Sequence, residues 1–389
     1  MYFCGIDIAK KKHDAVIVDG EGNTQVKPFT ILNTATGFEE LITRLQSPDQ
    51  NVLIGLEATG HYWLALYERL SDAGFKIVVL NPLQIAAYRR SGIRKVKNDR
   101  KDAWWIADYL RIANLQPTDR KLPILLKLRE LTRFRYALMD QVGDVKRKVL
   151  SILDRVFPEY ETLFSDIFIK SSRALLKEAV SAEEIANFNL SELTTILKTN
   201  SQGRFGQEKA SRIQDLARES VGIGFLTDAV YLEMHCLLEQ LDLLLSQIEM
   251  LENSIDEIMD QIPQYITSIP GVGKVTGSAI LAEIGDINRF ESSEKLVAFA
   301  GIDPTVYETG QFVAKKTRMS KRGSPHLRYA LWQAASMAIQ YDPELKAYYQ
   351  AKRAEGKHHG TALGAVCNKL ISRIYIILKE QRPYVVRET

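Results

Sequence analysis

Tyr2-Phe3-Cys4-Gly5-Ile6-Asp7-Ile8-Ala9 stands at the start of the chain, an apolar, strand-like run interrupted by one carboxylate. Lys10-Lys11-Lys12-His13-Asp14 makes a turn into a second strand, Ala15-Val16-Ile17-Val18, and Asp19-Gly20-Glu21-Gly22-Asn23 has the composition of a hairpin turn. A third strand runs from Thr24 to Ile31, and Gly37 to Gln46 reads as a helix. Asn51-Val52-Leu53-Ile54-Gly55-Leu56-Glu57 is the next buried strand, and a helix follows Ala58-Thr59-Gly60 to about Ala73. Phe75 to Leu80 is a further strand, closed by Asn81-Pro82. The order β-β-β-α-β-α-β-α predicts a mixed sheet with helices on its faces.

Two of these strands carry a carboxylate, Asp7 in the first and Glu57 at the end of a later one, and a buried acid in an apolar strand needs a cation or partner. Val96-Lys97-Asn98-Asp99-Arg100-Lys101-Asp102-Ala103-Trp104-Trp105 adds two more, and on a helix Asp99 and Asp102 share a face. Arg89, Arg90, Arg94, Lys95, Lys97, Arg100 and Lys101 surround them, a charge pattern that attracts a polyanion. Asp7, Glu57, Asp99 and Asp102 therefore form a candidate ligand set for Mg²⁺. Two such ions about 4 Å apart can activate a nucleophile and steady a leaving oxygen in phosphoryl transfer. The competing reading of the 96–105 stretch is a solvated charged helix.

The chain has 389 residues, room for two or three domains, with 25% charged and 46% hydrophobic residues. Its formal net charge is only +3, so a nucleic-acid footprint has to come from local clusters. Cys4, Cys236 and Cys367 show neither CxxC spacing nor an even framework, which points to a reducing compartment and away from structural zinc. The N-terminus has no secretory pattern and no run of about 18 apolar residues follows, so a cytoplasmic, non-membrane protein is expected.

Leu125 to Leu153 reads as a helix with Lys127, Arg129, Arg133, Arg135, Lys146, Arg147 and Lys148 among apolar positions, either a nucleic-acid face or a solvated one. Pro158 ends it. Residues 159–225 read as short helices with polar breaks, among them an N-cap at Asn189, and carry no assignable chemistry. Val230, Met234, Leu237, Leu241, Leu244, Ile248, Leu251, Ile255, Ile258 and Ile262 then alternate steps of four and three. That heptad seam predicts a coiled-coil helix of roughly 50 Å, within the chain or between chains, with His235 and Cys236 as packing residues.

Ile266 to Gly277 resembles a helix-hairpin-helix turn, in which Gly271 and Gly273 let backbone N–H groups and Lys274 approach a phosphate at a helix start. Lys315, Lys316, Arg318, Lys321 and Arg322 place five cations in eight residues beside several hydroxyls, a phosphate grip with a nucleophile near it. His358 and His359 lie in a turn, read as solvated, before a last apolar helix from Ala365 to Leu378.

Gly-Ile-Asp-Ile-Ala-Lys at 5–10, Leu-Glu-Ala-Thr-Gly at 56–60, Asn-Pro at 81–82 and Asn-Asp-Arg-Lys-Asp-Ala at 98–103 together resemble the DEDD transposases of bacterial insertion sequences. The resemblance implies a multidomain chain. Its parts are an α/β ribonuclease-H-like catalytic domain like that of the resolvase RuvC (1–158), the helical insert (159–225), the coiled coil (226–262) and a mostly α-helical transposase domain (263–389). It also implies that Asp7, Glu57, Asp99 and Asp102 are the acidic tetrad holding Mg²⁺. Ala300-Gly301-Ile302-Asp303-Pro304, Tyr307-Glu308-Thr309-Gly310 and Arg318-Met319-Ser320-Lys321-Arg322-Gly323 match the family's C-terminal motifs, with Thr309 where the family has its nucleophilic serine. A threonine hydroxyl can make the same attack, though its added methyl crowds it: in order, Thr309 is the nucleophile, or Ser320 or Ser324 replaces it, or strand transfer is impaired. The resemblance further implies donor and target DNA as substrates, a structured non-coding guide (bridge) RNA, and dimers that pair into tetramers. Three other readings are a hydrolytic junction nuclease using water, a non-catalytic nucleic-acid scaffold, and an actin-like ATPase, whose first phosphate loop Gly5 to Lys10 also resembles.

Overall fold

The computed structural model describes residues 1–46, 51–58, 60–91, 99–118, 122–225, 227–304, 308–309, 312–313 and 318–386, and the chain divides into two compact units, Met1–Leu122 and Pro123–Thr389. The first unit runs β1 (Tyr2–Ile8), β2 (Lys12–Val18), β3 (Thr24–Leu32), α1 (Ala35–Gln46), β4 (Val52–Glu57), α2 (Leu64–Asp72), β5 (Lys76–Leu80), α3 (Pro82–Ser91) and α4 (Asp99–Ile112). The sheet order is β3-β2-β1-β4-β5, with β1, β2 and β3 antiparallel and β1, β4 and β5 parallel. Three antiparallel strands followed by parallel ones are consistent with a RuvC-like architecture. One element differs from expectation. His13 and Asp14, read as turn residues, lie inside β2 and are buried, because they pair with Ile8 and Asp7 of β1.

Register decides which side chains meet. Val16, Gly5, Gly55 and Val78 form one row across four strands, and the next row is Asp14, Asp7, Glu57 and Leu80. Side chains two apart share a face, so both rows face α4, whose Ala103, Ile106, Ala107 and Leu110 are buried against that side. A Cβ on Gly5 would fall inside contact distance of the Ala103 carbonyl oxygen and the Ala107 amide nitrogen, and one on Gly55 would strike Leu110 and Ile106. Gly5 facing Ala103 and Ala107 thus brings the helix backbone close to the sheet, and Gly55 makes room for the side chains of Leu110 and Ile106.

The second unit contains α5 (Leu122–Val156), α6 (Lys170–Glu178), α7 (Ala182–Asn187), α8 (Leu190–Asn200), α9 (Gln207–Arg218), α10 (Thr227–Gln261), α11 (Lys274–Ile284), α12 (Ser293–Ala300), the short strands β6 (Glu308–Thr309) and β7 (Phe312–Val313), then α13 (Pro325–Tyr341), α14 (Pro343–Ala354) and α15 (His359–Glu380). Compactness divides the chain before the long helix α5, whereas the boundary drawn from sequence follows it at 158. The apolar stripe of α5 explains the difference. Its Leu138, Val142, Val145, Val149 and Ile152 share a core with Val230, Met234, Leu237, Leu241 and Leu244 of α10 and with α6 to α9. Arg135 pairs with Glu252 at 2.6 Å and Arg155 with Glu233 at 3.4 Å, so α5 and α10 run antiparallel. The seam of α10 is therefore covered within its own chain along this core, and residues 159–225 help to cover it. Asn189 caps α8 by accepting from Ser191 and Glu192 N–H groups, and Ser181 with Glu184 makes a capping box on α7. Cys236, expected to pack, is exposed.

A second core joins Leu125, Leu128 and Tyr136 of α5 to Ile255 of α10 and to α11, α13 and α15. By length and composition α15 could cross a membrane, but its Leu363, Val366, Leu370, Ile371 and Ile374 are buried in this core. Glu283 of α11, only 3% exposed, accepts from Arg133 at 2.7 and 3.1 Å and from Ser324 Oγ at 2.8 Å. Burial opposes its charge, but these bonds outweigh burial and hold the carboxyl below the usual range. A depressed folded value stabilises above the ordinary glutamate pKa, near ~4.3, and the benefit is lost as pH falls through the folded value. Glu283→Gln should therefore melt earlier than the parent protein at pH 7, with the gap closing below about pH 4. A gap that stays constant across pH would assign the loss to packing instead.

Candidate active site

The acids gather at one end of the α4-facing side of the sheet. Asp7 is the penultimate residue of β1, and Glu57 ends β4 one position beyond the Ile6–Leu56 pair, so the two stand side by side on parallel strands. Asp102 lies in the first turn of α4, immediately before Ala103, which with Ala107 approaches Gly5. Arg89 of α3 ties the groups together: its guanidinium donates to Glu57 Oε2 at 2.9 Å, and its Nε stands 3.5 Å from Asp102 Oδ1. Asp99 opens α4, and its side chain lies outside the described residues.

Asp14 was missed in the sequence. It faces Asp7 directly across β1 and β2 and accepts from Thr30 Oγ1 at 2.5 Å. Once β2 is extended back to Lys12, strand pairing places Asp14 on the face that carries Asp7, which is the signal that could have found it.

Among the described residues no three carboxylate, histidine or cysteine side chains stand close enough together to hold a metal ion as a set. The donor chemistry nevertheless fits a hard divalent cation, since Asp7, Glu57 and Asp102 offer carboxylate oxygens only. The local field fits too: a cationic guanidinium is already drawn between Glu57 and Asp102, with its Nε buried and lacking a hydrogen bond. Arg89, expected on the nucleic-acid surface, is thus engaged with the acids, while Arg90 and Lys101 are exposed. Arg94, Lys95 and Lys97 lie outside the described residues.

In the second unit Gly271 has φ 84°, and a Cβ there would press on the backbone of Met337 and Ala338, so its role is close packing of the turn on α13. Gly273 is the N-cap of α11 with open space around it and no side-chain cap, and Lys274 pairs with Asp260 at 2.8 Å. Arg318, Lys321 and Arg322 are exposed, and Lys315 and Lys316 lie outside the described residues. Thr309 pairs with Phe312 in the β6–β7 ribbon, its side chain outside the described residues. The substitute hydroxyls are both engaged: Ser320 Oγ donates to Asp303 at 2.5 Å, and Ser324 caps α13 and bonds Glu283. Much of the basic face of α5 is engaged too, with Arg129 on the Ala282 carbonyl, Arg133 on Glu283 and Arg135 on Glu252. The last helix begins six residues before the expected Ala365, at His359: His358 caps α15 and His359 Nδ1 meets Tyr349 OH at 2.7 Å.

Comparison with known proteins agrees with both halves. Residues 4–158 match the DEDD family model of IS110 elements, described as Transposase, and residues 263–350 match the model described as Transposase IS116/IS110/IS902 family. The IS117 mini-circle protein of Streptomyces coelicolor is 26% identical over 98% of this chain and 95% of its own length. The pilin gene-inverting protein of Moraxella bovis is 25% identical over 98% and 97%, and the transposase for IS1111A of Coxiella burnetii is 31% identical over 31% and 33%. Two models of one family in matching order, and relatives aligned nearly end to end, establish that the chain belongs to the IS116/IS110/IS902 family of DEDD transposases and is a DNA recombinase.

Proposed function

We propose that the protein excises and inserts its mobile element through a covalent link between Thr309 and DNA. The observation that carries this is the gathering of Asp7, Glu57 and Asp102 at one sheet end, in a chain whose other half matches the family's second model. Thr309 Oγ1 forms a bond to a DNA phosphorus while the bond to one DNA oxygen breaks; the threonine proton leaves, and the departing oxygen takes one up. The phosphoester keeps the energy of the broken bond, so a hydroxyl of another strand can attack it and release the threonine. Asp7, Glu57, Asp99 and Asp102 would hold Mg²⁺, which supplies charge stabilisation at the reacting phosphate. Asp14, across from Asp7, adds negative potential at that end, and Arg89 holds Glu57 and Asp102 in place. Donor and target DNA are chosen by a structured guide RNA, and dimers pair into tetramers in the cytoplasm. The subunit contact uses a surface other than the α10 seam, which its own chain covers. The Moraxella bovis relative is named for inverting a gene; inversion is the same chemistry with both sites in one DNA molecule.

The test is an adduct assay: protein with co-purified RNA, Mg²⁺ and labelled donor DNA, stopped in detergent, with the linked residue mapped by mass spectrometry. An adduct is expected on Thr309, retained in Thr309→Ser and absent in Thr309→Ala. Cut DNA without an adduct would make water the nucleophile and the protein a junction nuclease.

A further inference from the structure

A cleft of about 870 Å³ opens in the second unit between α5, the start of α11, the segment at 319–321 and α13. Its size lies within the range of ligand sites, about 300–1,000 Å³. Four features describe what fits it. Besides the buried Tyr136, two accessible aromatic rings line it, Tyr329, which keeps 51% of its surface exposed, and the half-buried Trp332. Three cations line it, Arg135, which is paired with Glu252, and Lys321 and Arg328. Lys321 has no ion-pair partner among the described residues, and Arg328 uses one N–H on the Ala300 carbonyl. No aspartate or glutamate lines it among the described residues. Finally, Tyr136 lines it with 8% exposure, and its buried hydroxyl has no hydrogen-bond partner. Burial pushes that phenol up to about 12, so at neutral pH it remains a donor without an acceptor. A buried polar group in that state favours a ligand that brings the acceptor.

Flat rings, cations and an unmatched donor, with no acid, describe an anionic ligand that has a planar face. We propose that this cleft takes an unstacked nucleotide of a single-stranded nucleic-acid segment, its base against Tyr329 and Trp332 and its phosphate at Lys321 and Arg328. A stacking platform beside cations is how single strands are held without sequence preference. The methionines that complete the wall, Met319 and Met337 among them, adapt to different bases. The assignment rests on the recombinase reading for its substrate class, and it concerns a contact that operates without strand cutting.

The experiment is fluorescence anisotropy of the full chain, without divalent ions, against a labelled 12-nucleotide oligo-dT, an oligo-rU of equal length and a 12-base-pair duplex. Tyr329→Ala, at a half-exposed position, should weaken single-strand binding about tenfold, the size of one lost base–aromatic stack, and leave duplex binding unchanged. Tyr136→Phe, which keeps the ring, should weaken it less. Oligonucleotides carrying a photoreactive thio-base should cross-link to Tyr329 or Trp332 in the parent protein. A loss confined to oligo-dT names DNA as the source of the nucleotide, and a loss confined to oligo-rU names RNA; either supports the cleft. Unchanged single-strand affinity in Tyr329→Ala, equal losses on duplex, or cross-links only elsewhere would overturn it. Because no cutting is needed, binding without a Thr309 adduct would sink the recombinase chemistry alone, and an adduct with unaltered binding in Tyr329→Ala would sink the cleft alone.

Discussion

Gly5→Ala is expected to destabilise the first unit by about 3 kcal/mol, at the upper end of overpacking costs. The new methyl would meet backbone atoms of Ala103 and Ala107 in α4, which cannot rotate away as the end of a side chain can. Either α4 lifts from the sheet, uncovering Val16, Leu53, Ile106 and Leu110, or β1 shifts in the middle of its ladder. For a unit of this size such a loss lowers the melting temperature by about 10 °C. Calorimetry of the full chain should show one transition moving and the other, from the second unit, staying in place. An unchanged profile would mean that α4 does not lie as close to β1 as described. Gly55→Ala should cost less, because its nearest neighbours are the side chains of Leu110 and Ile106. On the proposed mechanism the substitution at Gly5 would also reach the chemistry, since the first turn of α4 carries Asp99 and Asp102.

Asp7→Asn separates activity from stability. Asp7 lies directly across from Asp14, and like charges at that spacing oppose pairing by roughly 0.2–1 kcal/mol. Neutralising one of them should leave the melting temperature of the first unit unchanged or slightly raised. Strand cutting should fall by about 10³-fold or more, because losing one carboxylate from a site whose charge stabilisation is worth several kcal/mol forfeits about tenfold per 1.4 kcal/mol. The measurements are single-turnover cleavage of donor DNA and a thermal melt on the same preparation. Cleavage near the parent rate would remove Asp7 from the acidic set; lost cleavage with a large fall in melting temperature would show that Asp7 serves the fold instead.

Much of the first unit was legible because local chemistry sets it. Short apolar runs, a glycine-rich turn at 19–23 and the Asn81-Pro82 stop define strands whatever the rest of the chain does. The turn read over Lys10 to Asp14 holds at Lys10 and Lys11 and fails from Lys12 on for a non-local reason: three lysines, a histidine and an aspartate look like a turn, but pairing to β1 and β3 supplies Asp14 with Thr30 and draws it into the strand. The heptad period of α10 was visible, and its partner was not, because a seam encodes an apolar stripe and not the identity of the surface that covers it.

The sequence by itself singled out the candidate acids of the first unit, Asp7, Glu57, Asp99 and Asp102, and determined that a strand-rich half precedes a helical one, since motif identity and periodicity are properties of neighbours along the chain. Only the tertiary structure decided where those residues and their partners go. Arg89 turns to the acids rather than to solvent, Asp14 joins Asp7, and Arg133, Arg135 and Arg129 of α5 are taken up by Glu283, Glu252 and a backbone carbonyl. The cleft around Tyr136, Tyr329 and Trp332 likewise gathers residues about 200 positions apart. Charge and aromatic faces act over a few ångströms through space, and strand register and helix packing, not separation along the chain, fix which of them come within that reach.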